Sequence, residues 1–237
     1  MRSIQTQDRD FAGFRLRGRE VTRLESFSDA VFGFALTLLV VSLDAPKSFN
    51  DLVTTMRGFP AFAICFLLLA LIRNSHYKFC RRYGLEDGTS RFLTCVLLFV
   101  VLFYVYPLKF LFNLSITGLL FGTGPQISVT GPQLTTLLVI YGLGFAAVYL
   151  ALALLYLHAW RLRDALELTE LERFDTRYVI ARLWTLTAMG LIAAGFACIP
   201  IMRTWSSLVY LLLFPILRIS RGVHRNRRER YVSGGIK

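Results

Sequence analysis

Six blocks of apolar residues, most of them close to the length that crosses a bilayer, dominate this sequence and leave few folds open to it. They run Leu24–Leu43, Leu52–Ile72, Phe92–Phe112, Leu134–Leu157, Val179–Ile199 and Trp205–Ile219, against the roughly 20 residues that a helix needs to span the hydrocarbon core. The last is the shortest. Inside lipid every backbone amide must find a partner within the protein, so an all-α bundle of six membrane helices is the expected architecture. A mean hydropathy of +0.53 over 237 residues and a charged fraction of 18% agree with this reading, since soluble domains carry about 25% charged residues. No short apolar run followed by a small-residue cleavage site precedes the first block, so a cleaved leader is not expected.

Charge sets the expected orientation. The chain has 27 basic and 15 acidic residues, a net charge of +12. In a soluble protein that excess points to nucleic acid, but no basic stripe interleaved with stacking aromatics occurs here. Instead the basic residues cluster at alternate block ends. The expected outer loops hold only Lys47, Arg57, Lys109 and Arg203, whereas Arg15 to Arg23, Lys78 to Arg91, Arg161 to Arg177 and Arg218 to Arg230 fall on the other side. That asymmetry places both termini in the cytoplasm. It divides the chain into a cytoplasmic segment (1–22), a six-helix domain (23–220) and a basic cytoplasmic tail (221–237). The uncharged connection 113–133, rich in Gly, Thr and Pro, reads as an outer-surface loop, with a re-entrant segment as the alternative.

Function classes narrow in the same way. No GxxxxGK[ST], HExxH or GxSxG occurs, and His76, His158 and His224 are scattered, so an enzyme is not expected. The four cysteines form no CxxC, and three lie inside apolar blocks, so no metal or cofactor is called for. A passive pore and a secondary transporter remain. The transporter calls for internal repeats and mid-span acids; no convincing repeat joins residues 1–112 and 113–237, and the mid-span positions of the third to sixth blocks lack acids.

The first block carries the unusual chemistry. Its uninterrupted apolar stretch, Ala30 to Leu43, is short, and full length requires taking in Arg23, Glu25 and Asp29. A mid-span charge costs about 2.5–3.5 kcal/mol on insertion scales, less near an end, so Asp29 needs a partner or water. Arg23 lies six residues away, off the spacings that face each other on a helix. Two stripes follow from helical spacing. Phe27, Val31, Phe34, Leu38 and Val41 form an a/d seam, and Ser26, Asp29 or Ala30, Gly33 and Thr37 form a small and polar stripe beside it. The seam either packs within its own chain or meets copies of itself around an axis.

Residues 23–29, RLESFSD, match the RxxxFSD signature of the transmembrane protein 175 family of endosomal and lysosomal potassium channels, and residues 30–40 resemble that family's first helix. Arg73-Asn74-Ser75-His76 resembles the polar ending of its second span, with Ile72 and Ser75 departing from the family's Trp and first His. The resemblance implies a prokaryotic homotetramer in the plasma membrane, passing K⁺ through a central pore lined by helix one. It implies an apolar constriction at Phe34, further apolar layers at Leu38 and Val41, and a pore-facing hydroxyl at Thr37. It also implies a polar lock, drawn from Arg23, Phe27, Ser28, Asp29, Asn74 and His76. Phe34 stands where the family usually has Ile or Leu.

Overall fold

The computed structural model describes residues 10, 13–41, 48–121, 131–199, 218 and 220–229. It is all-helical, with α1 (Arg23–Val41), α2 (Phe49–Arg57), α3 (Phe59–Tyr83), α4 (Gly88–Phe121), α5 (Gly131–Arg161) and α6 (Glu170–Cys198) in chain order, and a short tail helix over residues 220–229. Among the described residues four helices, α3 to α6, are long and apolar enough to cross a membrane. α1 is not among them, because its 19 residues include Arg23, Glu25 and Asp29. The expected sixth span, Trp205–Ile219, lies outside the described residues apart from Arg218.

Two boundaries differ from expectation. The second block is not one helix: α2 ends at Arg57 and α3 starts at Phe59, with Gly58 at the junction and Pro60 in the first turn of α3. Proline lacks the amide that would tie it to the preceding turn, and it fits only where that donor is unneeded. α3 then runs past Ile72 to Tyr83, because a helix end tolerates Arg81 and Arg82 well. The second correction concerns 113–133: α4 continues through 113–121 as helix, and residues 122–130 lie outside the described set. Between Pro107 and Pro125 no proline interrupts this stretch, and a helix satisfies every amide internally.

α5 packs against α6 and α4, α4 also against α3 and α1, and α1 against α3 and α4. The α5–α6 crossing is set by small residues. A Cβ built on Gly142 would lie 2.9 Å from the Ala194 backbone nitrogen and 2.9 Å from the Gly190 carbonyl, and one on Gly190 would lie 2.9 Å from the Gly142 carbonyl. Gly142-x-x-x-Ala146 thus meets Gly190-x-x-x-Ala194, the close approach by which helices associate when lipid removes the hydrophobic drive. Away from the crossing, Leu97, Val101, Leu152, Leu155 and Leu183 form the core, with Phe79, Tyr83 and Tyr156 in edge and tilted contacts at one end.

That end is basic, and it is closed by a strap of extended chain, residues 13–21. Phe14 is fully buried beneath it, edge-on to Tyr83 and under the Arg82 guanidinium. Arg17 is the strap's anchor: its Nη2 lies 2.8 Å from Glu172 Oε2, and its Nε donates to the Leu166 carbonyl. Glu172 also accepts from the Arg15 amide and completes a capping box with Thr169 at the start of α6. The amides of Arg17 and Gly18 both donate to the Arg81 carbonyl. Gly18 has no room for a side chain, since a Cβ there would come within 2.5 Å of the Cys80 carbonyl. Opposite it, Gly84 ends α3 in the left-handed region (φ 60°), which only glycine enters without cost.

Candidate pore-lining face and its polar anchor

α1 has two unlike faces. Glu25, Ser28, Phe32, Ala35 and Leu39, spaced three and four apart, are buried against the bundle. On the opposite side Arg23, Ser26, Phe27, Ala30, Gly33, Phe34 and Thr37 are exposed, while Val31 and Leu38 at the edge are half-buried. Phe34 is 57% and Phe27 is 53% exposed, and a Cβ on Gly33 would meet nothing within 4 Å. The a/d seam and the small polar stripe therefore share one face: its middle, from Ser26 and Phe27 to Phe34 and Thr37, is exposed in the protomer, while Val31 at its edge packs against the core. Val41 belongs to α1, but its side chain lies outside what the structure describes.

The Thr37 hydroxyl donates to the Phe34 carbonyl at 2.8 Å. Its proton is thereby committed to the helix, and the oxygen lone pairs are left on the exposed side. An exposed aromatic layer at Phe34 and a hydroxyl-oxygen layer at Thr37, one turn apart, are what this face offers chemically. Among the described residues no group of three or more His, Cys, Asp or Glu could hold a metal ion.

The partner of Asp29 is on α3, at the polar ending of that helix. Arg73 brings Nε and Nη2 each to 3.0 Å from Asp29 Oδ1. Both side chains remain about two-fifths exposed, and an exposed pair contributes at most about 1 kcal/mol in water. It orients the start of α1 more than it holds it.

The other motif positions separate. Ser28 is buried and its hydroxyl donates to the Leu24 carbonyl at 2.7 Å. His76 is buried against Phe32, with Nε2 at 3.3 Å from Thr94 Oγ1 on α4 and Cys80 Sγ beside its ring. Arg23, Phe27 and Asn74 are exposed. Sequence reasoning missed Arg73 as the acid's partner. It also missed Glu25, Phe32, Ala35 and Leu39, whose own three-and-four spacing was there to be read.

A family model described as "Endosomal/lysosomal potassium channel TMEM175" matches residues 23–104. Among curated proteins, a potassium channel of Marivirga tractuosa is 44% identical over 178 residues, 72% of each chain. A potassium channel of Streptomyces collinus is 28% identical over 94 residues, 37% of this chain and 46% of that one. Among solved structures, a crystal structure of a variant of the potassium channel MtTMEM175, in complex with a Nanobody-MBP fusion protein, superposes with a TM-score of 0.80. It shows 36% identity and covers 90% of this chain and 97% of its own. A lysosomal potassium-selective channel TMEM175 homolog from Chamaesiphon minutus shares the fold, with a TM-score of 0.59, 20% identity, and coverage of 84% and 96%.

Proposed function

The chain belongs to the endosomal/lysosomal potassium channel TMEM175 family, and from that premise we propose that it is a passive K⁺-permeable channel in which four copies set their α1 helices around a shared axis. The observation that carries this reading is the exposed α1 face, with Phe34 and Thr37 turned away from the bundle while Phe32, Ala35 and Leu39 anchor the helix from behind. The family is one of potassium channels and not of enzymes, and K⁺ is the permeant ion rather than a bound cofactor.

In this reading Phe34 forms an apolar constriction that a hydrated ion crosses only when the ring of four widens, and Leu38 and Val41 supply further apolar layers. The four Thr37 oxygens, with lone pairs turned outward, replace part of the ion's hydration and give a modest preference for K⁺ over Na⁺. The Asp29–Arg73 pair, with Ser28 and His76 behind it and Arg23, Phe27 and Asn74 around it, is the polar lock that sets the angle of α1. The channel domain, residues 23–220, has six spans: α1, α3 to α6 and the 205–219 segment. The segment 1–22 and the tail 221–237 lie in the cytoplasm of a prokaryotic cell, with the basic end of the bundle facing inward.

The test is K⁺ efflux from liposomes holding the purified full-length chain. K⁺ is expected to move down its gradient without a counter-substrate, and strict one-for-one exchange would establish a transporter instead. Phe34→Ala is expected to raise the leak severalfold, and Thr37→Val to bring the K⁺ and Na⁺ rates together. Unchanged flux in Phe34→Ala removes Phe34 from the pore.

A further inference from the structure

Trp160 lies in the last turn of α5, at the basic end of the bundle, and two arginines from different elements stand over its ring. The guanidinium of Arg163, on the turn that follows α5, is 5.1 Å from the ring centre, and that of Arg177, on α6, is 4.7 Å from it. Arg163 Nη1 also donates to the Trp160 carbonyl at 3.3 Å, which holds it beside its own indole. Both cations stay open to the surroundings: Arg177 is exposed, and the Arg163 side chain is 36% exposed. A guanidinium over a ring can spend its face on the indole and its N–H groups on an oxyanion.

Neither arginine has an acid to itself. Among the described residues, no carboxylate lies within ion-pairing distance of Arg177. Arg163 reaches only Asp164, at 3.7 Å, and Asp164 is held more closely by Arg173, at 2.8 Å, which also draws Glu170 to 3.8 Å. Two positive charges are thus set on one indole, and an anion between them would relieve their repulsion. The depth of the ring says which anion. The apolar block of α5 ends at Leu157, one turn before Trp160, and that of α6 begins at Val179, two residues past Arg177. The cluster therefore sits where hydrocarbon gives way to headgroups, the level at which indole rings settle. α1 packs on α3 and α4, so α5 and α6 make the flank of the protomer away from it, and in the proposed channel that flank faces lipid.

We propose that Arg163 and Arg177, set on Trp160, hold the phosphate of an anionic phospholipid in the leaflet at the basic end of the bundle. The N–H groups of the two guanidiniums donate to phosphate oxygens, and the indole is the platform that keeps both in place. A zwitterionic headgroup would bring its own cation to a spot that already carries two positive charges, which selects for a headgroup with net negative charge. This site requires the bilayer but not conduction, so it stands or falls separately from the pore.

The test is native mass spectrometry of the delipidated full-length chain, titrated with phosphatidylglycerol or phosphatidylcholine. Phosphatidylglycerol is expected to bind more tightly, and Arg163→Gln and Arg177→Gln each to weaken it about fivefold, as for one interfacial charge. Arg177→Lys keeps the charge but loses the planar fork, and is expected to weaken it about two- to threefold. Trp160→Leu, which leaves both arginines but removes their platform, should weaken it by a similar factor. Arg225→Gln, on the exposed side of the tail helix, should leave binding unchanged. Equal affinity for the two lipids overturns the proposal, as does a loss in Arg225→Gln equal to that in Arg177→Gln, which would mean diffuse surface charge. Wild-type affinity in Trp160→Leu, or full displacement of the lipid by millimolar inorganic phosphate, would also overturn it. Should Trp160→Leu not fold, the two substitutions at the exposed Arg177 decide the matter alone.

Discussion

Replacing Gly190 by alanine isolates the crossing that holds α5 to α6. The added methyl would sit 2.9 Å from the Ala146 nitrogen, 2.9 Å from the Gly142 carbonyl and 3.1 Å from the Ala146 Cβ. The first two are backbone atoms of a packed helix and cannot rotate away. Relief to ordinary contact near 3.5–4.0 Å requires the helices to part by roughly 0.5–1 Å, a gap that forfeits a quarter to a half of each dispersion contact along the seam. Overpacking of this kind costs about 1–3 kcal/mol. The internal control is Gly195 on the same helix, where a Cβ meets nothing within 4 Å. Gly195→Ala should be neutral or gain up to about 1 kcal/mol from helix propensity. Unfolding the two variants in mixed micelles by denaturing detergent, followed by tryptophan fluorescence, compares them directly. Equal stability of Gly190→Ala and Gly195→Ala would refute the claim that backbone approach at Gly190 sets this interface.

In the proposed tetramer, Gly33→Leu should leave the protomer as stable as wild type, because the site is open, yet reduce the assembly recovered from native detergent more than tenfold, since a clash of about 1–3 kcal/mol would recur in each copy. Intact tetramer with wild-type flux would show that the α1 face does not meet its copies. Asp87 gives a pH dependence. Partial burial pushes its carboxyl up, but the Ser90 hydroxyl, His158 and the Thr89 amide outweigh this and hold it below the ordinary value of 3.8. A depressed acid contributes stability above its unfolded pKa and loses it as pH falls through the folded one. The melting-temperature advantage of wild type over Asp87→Asn should therefore be present above about pH 4 and shrink below it. An advantage that grows as pH falls from about 4 to about 2 would contradict the contacts at Asp87.

The helices were legible in the sequence where composition alone decides them. Apolar length located α1 and α3 to α6; the cost of Asp29 demanded a partner without saying where, and only the family resemblance pointed to the polar end of α3, where Arg73 meets it. The ends were less legible because a spanning helix need not stop at the membrane: α3 and α6 continue through charged residues that hydropathy counts as loop. On α1, two seams with the same three-and-four spacing interleave, Phe27 to Val41 and Glu25 to Leu39. Spacing cannot rank them, and only packing shows that Phe32, Ala35 and Leu39 turn inward. The strap was hidden for a different reason. Arg17, Gly18, Gly84 and Glu172 are brought together from three parts of the chain, and no local pattern announces a contact of that range.

The strap also bears on how α1 can move. Residues 13–21 lead into Arg23, and they are held to α3 by the Arg81 carbonyl and to α6 by Glu172. The start of α1 is thus tethered to two helices before its first turn, and Asp29–Arg73 adds a third restraint. Beyond Asp29 the helix is fastened to the bundle chiefly by Phe32, Ala35 and Leu39. In a membrane such contacts are held by packing and not by expulsion of water, so a small shift costs only the dispersion it breaks. In the proposed channel, widening at Phe34 therefore comes from tilt or rotation of the outer part of α1 about a fixed basic end. The residues that govern opening are the small inward ones, above all Ala35, whose size sets how closely α1 can lean on the bundle.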